Sequence, residues 1–498
     1  MNVDDTIYMA ILFLCIASGH YYRTYVNNVA LKRWIGTAFG LLIVFIVSGV
    51  HIIHPLLSAI INNFIILAVD KRKCHLVSFT FMFLYLFFFR CTTAFGIPYP
   101  PAHTNLIQMI LTLKLVGLAF EVNNSYINNA DATKKSDNEV NPSFLDMFHY
   151  GFNYIGVLTG PYFSYKTFSD YLMLPYSKAA DCLGETIKKM KWIPIFCVLF
   201  LISEYFWPVN YVTTEPFLER SFCYRLWYVW PVFFTFRMRI YIGLILSECV
   251  CTMAGLGAYP ASTYPTSGGG PSVEYKGKMD TISLKNEDMD FEVIHNIDPV
   301  TTDTCITFRE AMKSWNMCVQ YWLAVNVYKR FPSKKYRTAV TLLVSALWHG
   351  VYAGYYFCIL GAPFYLPIED LYEKLFRKES TGFARRVWNK IFWFSKMFAF
   401  SYMGIAFLLL KVDLVWKYYS SVYHFGYILW IGLYLGGLLI KDQRKARRNK
   451  RSDIRTVTSE NIDNVASEIE KEFTMGSTAK IKTDFRQSNL SNDFNKIQ

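Results

Sequence analysis

The sequence carries little charge for its length. Asp, Glu, Lys and Arg make up 18% of its 498 residues, against about 25% in an ordinary soluble protein. A disordered chain would be far more polar, so disorder over most of the length is excluded. The cysteines lack the spacing of a zinc knuckle. Their closest pair is Cys249 and Cys251, with a single residue between them, too tight for the usual paired thiolates. Cys15, Cys197, Cys318 and Cys358 lie inside apolar runs and the total, 11, is odd. A secreted disulfide framework does not fit, and the thiols read as small buried hydrophobes. No helix-turn-helix, zinc-finger or RNA-recognition signature accompanies the net charge of +13, so nucleic acid is not its partner. The first apolar run, Ile7–Tyr22, follows Asp4 and Asp5 and has no cationic segment before it. It reads as a membrane helix, not a removed signal peptide. An internal repeat of the kind that builds many transporters is also missing.

What is abundant is apolar and aromatic surface. Apolar residues make up 53% of the chain, with 41 Phe, 35 Tyr and 12 Trp. A water-soluble globule cannot hide that much. Apolar blocks recur at Ile35–Val50, Ile52–Val69, Leu76–Phe89, Leu106–Phe120, Phe144–Phe163, Trp192–Val212, Leu226–Ala258, Trp315–Val327, Thr338–Tyr365, Ile391–Lys411 and Tyr423–Ile440. With about 20 residues needed per span, the sequence predicts an all-α, polytopic membrane protein of about eleven transmembrane helices over residues 1–440. The block Leu226–Ala258 holds Pro231, Arg237 and Arg239 and is expected to be broken. The basic turn Lys71-Arg72-Lys73 and the basic run after Ile440 place both segments, and the C-terminus, in the cytosol. Residues 441–498 read as a basic and then disordered tail, and Asn123–Asn141 as a polar loop. The polar stretch Tyr259–Asp303 contains Gly268-Gly269-Gly270-Pro271, but no Lys-Ser or Lys-Thr follows, so it is not a phosphate loop.

Polar groups inside apolar blocks mark candidate sites. Foremost is Ser345-Ala346-Leu347-Trp348-His349-Gly350. Ala346, Gly350 and Gly354 recur every four residues, as on a helix face that admits a close neighbour, and His349 lies beside that face. Trp315-Asn316 opens another block 33 residues earlier; taken alone, Asn316 reads as a helix N-cap. Together the two suit acyl transfer from a thioester. A thiolate leaves readily, so the enzyme needs a base for the attacking hydroxyl and a donor for the developing oxyanion. Ser345 stands one turn before His349, but no carboxylate orients the pair, and Ser345 reads more simply as a packing residue. Arg237 and Arg239 are either snorkelling cations or phosphate contacts, and Glu248 could pair with one of them. His51 and His54 read as structural, since further metal ligands are missing nearby.

The segments Phe291–Asp298, Ser314–Ala324, Ser345–Gly350 and Gly354-Tyr355-Tyr356, with Thr159-Gly160-Pro161-Tyr162 and Arg237-Met238-Arg239, resemble the membrane-bound O-acyltransferase family, most closely its lysophosphatidylinositol acyltransferase branch. The resemblance is strongest over 159–367. It departs at Cys318, where relatives carry Thr, and at Tyr352-Ala353 before Gly354. The resemblance implies a helical bundle around a central catalytic chamber, with His349 and Asn316 catalytic and Trp315, Trp348, Tyr355, Ser345, Arg237 and Arg239 near substrate. It implies an acyl-CoA co-substrate, no bound cofactor or metal, a lysophospholipid arriving from the bilayer, and the endoplasmic reticulum membrane as location. Other acceptors are the rivals within this chemistry: lysophosphatidylcholine, lysophosphatidylserine or a protein. A transporter and a catalytically silent scaffold are the rivals outside it.

Overall fold

The computed structural model describes residues 3–130 and 140–493; the stretch 131–139 of the expected polar loop lies outside the described residues. In chain order the helices begin with α1 (Val3–Tyr25), α2 (Val29–Ser48), α3 (Ile53–Ala68), α4 (Cys74–Arg90) and α5 (Ala102–Ala130). Shorter pieces follow: α6 (Phe144–Phe152), α7 (Tyr165–Met173), α8 (Tyr176–Ala179), α9 (Cys182–Met190), α10 (Ile193–Phe206) and α11 (Glu215–Leu218). The 33-residue α12 (Phe222–Ala254) precedes α13 (Thr281–Leu284), α14 (Pro299–Thr304), α15 (Phe308–Lys313) and α16 (Met317–Leu323). The chain ends with α17 (Arg337–His349), α18 (Ala353–Ile359), α19 (Ala362–Tyr372), α20 (Gly382–Leu409), α21 (Val412–Ser421) and α22 (Phe425–Asp493). Among the described residues the only strands are two-residue pairs inside the Tyr259–Asp303 stretch.

Local chemistry sets many of these boundaries. Asn28 caps α2 through Leu31 N, Ser143 and Asp146 form a capping box on α6, and Thr307 and Glu310 form another on α15. Each supplies acceptors for amides that the helix itself leaves unpaired. Inside the bundle, polar groups bond between helices: Ser78 Oγ donates to Asn62 Oδ1 at 2.7 Å and Gln108 Nε2 to Ser58 Oγ at 3.0 Å. In an apolar medium such bonds hold helices together. Large apolar side chains remain on the outside, among them Leu42, Phe45 and Ile46 of α2 and Val198, Leu201 and Ile202 of α10. This is a surface made for lipid tails.

Two expectations are corrected, at α12 and at α5. Six helical stretches of the described residues are long and apolar enough to cross a bilayer: Val29–Ala68, Ala102–Asn129, Cys182–Thr213, Phe222–Ala254, Gly382–Leu409 and Phe425–Arg451. The 40-residue stretch Val29–Ala68 holds two of the apolar blocks, Cys74–Arg90 is a shorter apolar helix, and Phe144–Phe163, Trp315–Val327 and Thr338–Tyr365 contain helices of 7 to 13 residues. Next, α12 is unbroken through Pro231; Thr235 Oγ1 donates to the Pro231 carbonyl at 3.0 Å, and the helix stops only at Gly255, which takes a left-handed φ of 84°. Neighbouring helices and hydroxyls make a proline tolerable within a membrane helix. Likewise, α5 runs on to Ala130, taking in the first part of the expected loop. In the C-terminal segment, α22 continues from Phe425 to Asp493. That segment contains no proline and is rich in Lys, Arg and Glu, all good helix formers.

The structure divides into two compact units, Met1–Asp370 with Ser380–Leu429, and Leu371–Glu379 with Trp430–Gln498. Within the second, Tyr372 OH donates to Leu433 O at 3.1 Å, and Arg444 binds Leu375 O and, at 3.0 Å, Glu379. The candidate site lies wholly within the first.

Candidate active site

Thr338–Tyr365 reads as one apolar block, yet α17 stops at His349. Gly350 is extended, and α18 begins at Ala353. Ala346, Gly350 and Gly354 therefore do not form one continuous helix face. Gly354 packs directly on the backbone of α20, its N–H bonded to Leu410 O at 2.8 Å. Gly350 faces the ring of Tyr355. The break puts His349 at a helix end, where its ring is ringed by Trp348 at 4.8 Å, Phe407 at 5.0 Å and Tyr355 at 5.9 Å between centroids. Among the described residues neither imidazole nitrogen has a hydrogen-bond partner, and no bond joins Ser345 to His349. The ring is held by aromatic packing and leaves its nitrogens for a proton from elsewhere. This arrangement suits general-base chemistry and supplies none of the contacts of a serine–histidine nucleophile.

Arg90 is the residue the sequence reading missed. At the end of α4, its Nη1 donates to Leu347 O at 3.0 Å, its Nη2 to Trp348 O at 2.7 Å and its Nε to Asn105 Oδ1 at 3.0 Å. It thus satisfies carbonyls that the end of α17 leaves open and fixes the turn carrying His349. The available signal was a single cation closing the apolar run Leu76–Phe89.

Asn316 occupies the N-cap position of α16 but makes no side-chain cap bond. Asn296 does that work. Its carbonyl accepts from Met317 N at 2.7 Å and its Oδ1 from Cys318 N at 3.1 Å. Asn316 itself sits at φ 50°, ψ 51°, a left-handed conformation that asparagine tolerates better than most residues. Its amide is thereby released from structural duty. Asn296 is anchored in turn: Glu248 Oε1 accepts from Asn296 N at 2.7 Å and Ile297 N at 3.1 Å, while its other oxygen pairs with Lys189. Glu248 therefore pairs with Lys189 and not with either arginine of α12. Gly268 and Gly269 lie against Cys318 and Tyr321 of α16, so the glycine run serves close backbone approach.

Two indoles tie α16 and α17 to the same stretch of α5. Trp322 Nε1, from α16, donates to Leu113 O at 2.9 Å, and Trp348 Nε1, from α17, donates to Met109 O at 3.0 Å. Met109 and Leu113 are one turn apart on α5. Between the two helices, a π-helical turn, Ala324–Tyr328, packs against α17.

The two arginines separate. Arg237 is buried, with Nε 3.1 Å from Asp303 Oδ1; Tyr241 donates to the same carboxylate, and its ring lies tilted beside Trp315, centroids 5.9 Å apart. Arg239 points outward and pairs with Asp5 of α1 at 2.8 Å. Both are thus matched to carboxylates, and Arg239 is not brought to His349. An exposed pair of this kind contributes little. Arg239→Ala is expected to leave turnover within about twofold and stability within about 1 kcal/mol, read by initial rates and thermal unfolding; a tenfold fall in turnover would place Arg239 on substrate. His54 bonds the Tyr85 hydroxyl at 3.2 Å and stacks on His51, as expected of structural residues.

A bundle of apolar helices holds a histidine whose ring nitrogens are unbonded and, at the start of α16, an asparagine whose side chain makes no cap bond. Residues 62–412 match the membrane-bound O-acyltransferase family. The chain is 47% identical over 468 residues to a Drosophila melanogaster protein named membrane-bound acylglycerophosphatidylinositol O-acyltransferase frj, covering 90% of this chain and 94% of the relative. It is 36% identical over 463 residues to the Xenopus laevis mboat7 of the same description, covering 90% and 97%. With the human MBOAT7 it shares 35% over 453 residues, covering 88% and 95%. The chain belongs to the membrane-bound O-acyltransferase family.

Proposed function

We propose that this protein transfers an unsaturated acyl chain from acyl-CoA to the sn-2 hydroxyl of lysophosphatidylinositol, in phospholipid remodelling at the endoplasmic reticulum membrane, with its C-terminus in the cytosol and without a bound cofactor. The observation that carries the chemistry is the imidazole of His349, packed by three aromatic rings with both nitrogens unbonded. His349 takes the proton of the acceptor hydroxyl, the oxygen attacks the thioester carbonyl, and CoA leaves as the thiolate. Asn316, relieved of capping by Asn296, donates to the oxyanion or holds the carbonyl. The relatives, all named for acylglycerophosphatidylinositol, support the acceptor.

The test uses purified protein in nanodiscs with labelled arachidonoyl-CoA and equimolar lysophosphatidylinositol, lysophosphatidylcholine, lysophosphatidylserine and lysophosphatidylethanolamine. Label is expected mainly in phosphatidylinositol. Label in another phospholipid would overturn the acceptor and keep the chemistry; no label from folded protein would overturn both. Asn316→Ala is expected to lower kcat by about 10²-fold, the worth of an oxyanion donor. An unchanged rate would remove Asn316 from the reaction.

A further inference from the structure

At the end of the bundle marked by the Lys71-Arg72-Lys73 turn, many cations are matched. Arg33 pairs with Asp146 at 2.6 Å, Lys166 with Asp170 at 3.5 Å, Lys188 with Glu185 at 2.6 Å and Lys189 with Glu248. Three others are not. Lys32, in the first turn of α2, is only 4% exposed; its Nζ lies 5.0 Å from the centre of the Tyr171 ring. The charges acting on it are Lys178 and Arg23, both positive. Arg23, near the end of α1, extends Nη1 toward the carbonyls of Ser177 and Ala180 at 3.4 and 3.5 Å, while its Nε is buried without a partner. The Tyr171 hydroxyl is buried and also without a partner. Lys178 is exposed. Among the described residues, none of the three cations has a carboxylate partner.

Buried donors without acceptors, and like charges gathered without a counter-charge, are unfavourable in an empty protein. The backbone holds them together all the same. Gly255, at a left-handed φ of 84°, brings the end of α12 so close to Ser177 and Arg23 that a Cβ there would stand 2.6 Å from Ser177 Cβ and 3.2 Å from Arg23 Cδ. One anion would answer all of these groups at once.

We propose that Arg23, Lys32, Lys178 and the Tyr171 hydroxyl form a binding site for a phosphate group. A guanidinium, two ammonium groups and a phenol are a donor set suited to phosphate oxygens. Two molecules at a membrane surface present such a group: the nucleotide end of CoA and the head group of an anionic phospholipid. The first source rests on the acyl-CoA reading above; the second does not.

The test measures binding, so it reports even from a protein that transfers nothing. Full-length protein in maltoside micelles, free of phosphate-bearing lipid, is titrated with radiolabelled CoA in one arm. In the other it is titrated with phosphatidylinositol and read by native mass spectrometry. Lys32→Met and Lys178→Met are each expected to weaken one of the two probes about tenfold, as loss of a charged hydrogen bond would, and Lys32→Arg to retain it. Weakened CoA assigns the site to the nucleotide; weakened phosphatidylinositol assigns it to the head group. Unliganded Lys32→Met is expected to unfold no earlier than the parent, because a repelled buried charge has been removed. If Lys32→Met fails to fold, Lys178→Met, at an exposed position, decides. Unchanged affinity for both probes in the folded variants would overturn the site.

Discussion

Replacing His349 by alanine is expected to abolish acyl transfer in a protein that still folds. General-base catalysis is worth about 10²–10⁴ in rate, and the rings packed on His349, those of Trp348, Tyr355 and Phe407, bring no second imidazole to the position. The surroundings do not depend on the imidazole. Trp348 is anchored to Met109 O, Tyr355 and Phe407 pack on each other at 4.8 Å, and Arg90 grips main-chain carbonyls that remain after the substitution. The check is single-turnover transfer beside a thermal unfolding curve. Full turnover from a folded variant would remove His349 from the mechanism.

The largest effect on stability is expected at Glu248. It is 1% exposed and holds three donors: the amides of Asn296 and Ile297 and the ammonium of Lys189. Removing one partner of a buried ion pair typically costs about 3–5 kcal/mol, so Glu248→Ala is expected to lose stability of that order. The loss should also reach the chemistry. Asn296 caps α16, and once its own anchor is gone Asn316 would have to compete for that duty. Glu248→Gln retains an oxygen for the two amides but not the charge facing Lys189, and is expected to recover stability in part. Thermal unfolding of the three proteins is expected to give the order parent, Gln, Ala. An alanine variant as stable as the parent would show that segment 291–298 is held by other bonds.

The class of the fold was legible because apolar blocks of this length and aromatic content have one physical solution, a bundle in lipid. His349 and Asn316 stand out in the sequence because each is a polar residue stranded in such a block. The helix end at His349 was not legible: Thr338–Tyr365 is apolar throughout, and Gly350 alone does not distinguish a break from a packing face. Nor was the release of Asn316, since its local sequence fits an N-cap and the competing cap, Asn296, lies 20 residues upstream. Arg90 reaches carbonyls more than 250 residues away, a distance no local pattern encodes. Arg237 and Arg239 looked alike in sequence, but two residues along a helix is about 200° of rotation, enough to send one to Asp303 and the other to Asp5.

The anchoring of Trp322 and Trp348 on α5 has a bearing on how this protein can vary. Both indoles hold main-chain oxygens, so the side chains at Met109 and Leu113 can drift, apolar for apolar, without altering the register of α16 and α17. What inheritance must conserve there is the helix itself. A proline at 113 would delete the amide that pairs with Met109 O and disturb both anchorages at once. The register of α16 against α17 is thus stored in a stretch of backbone whose own letters are comparatively free to change.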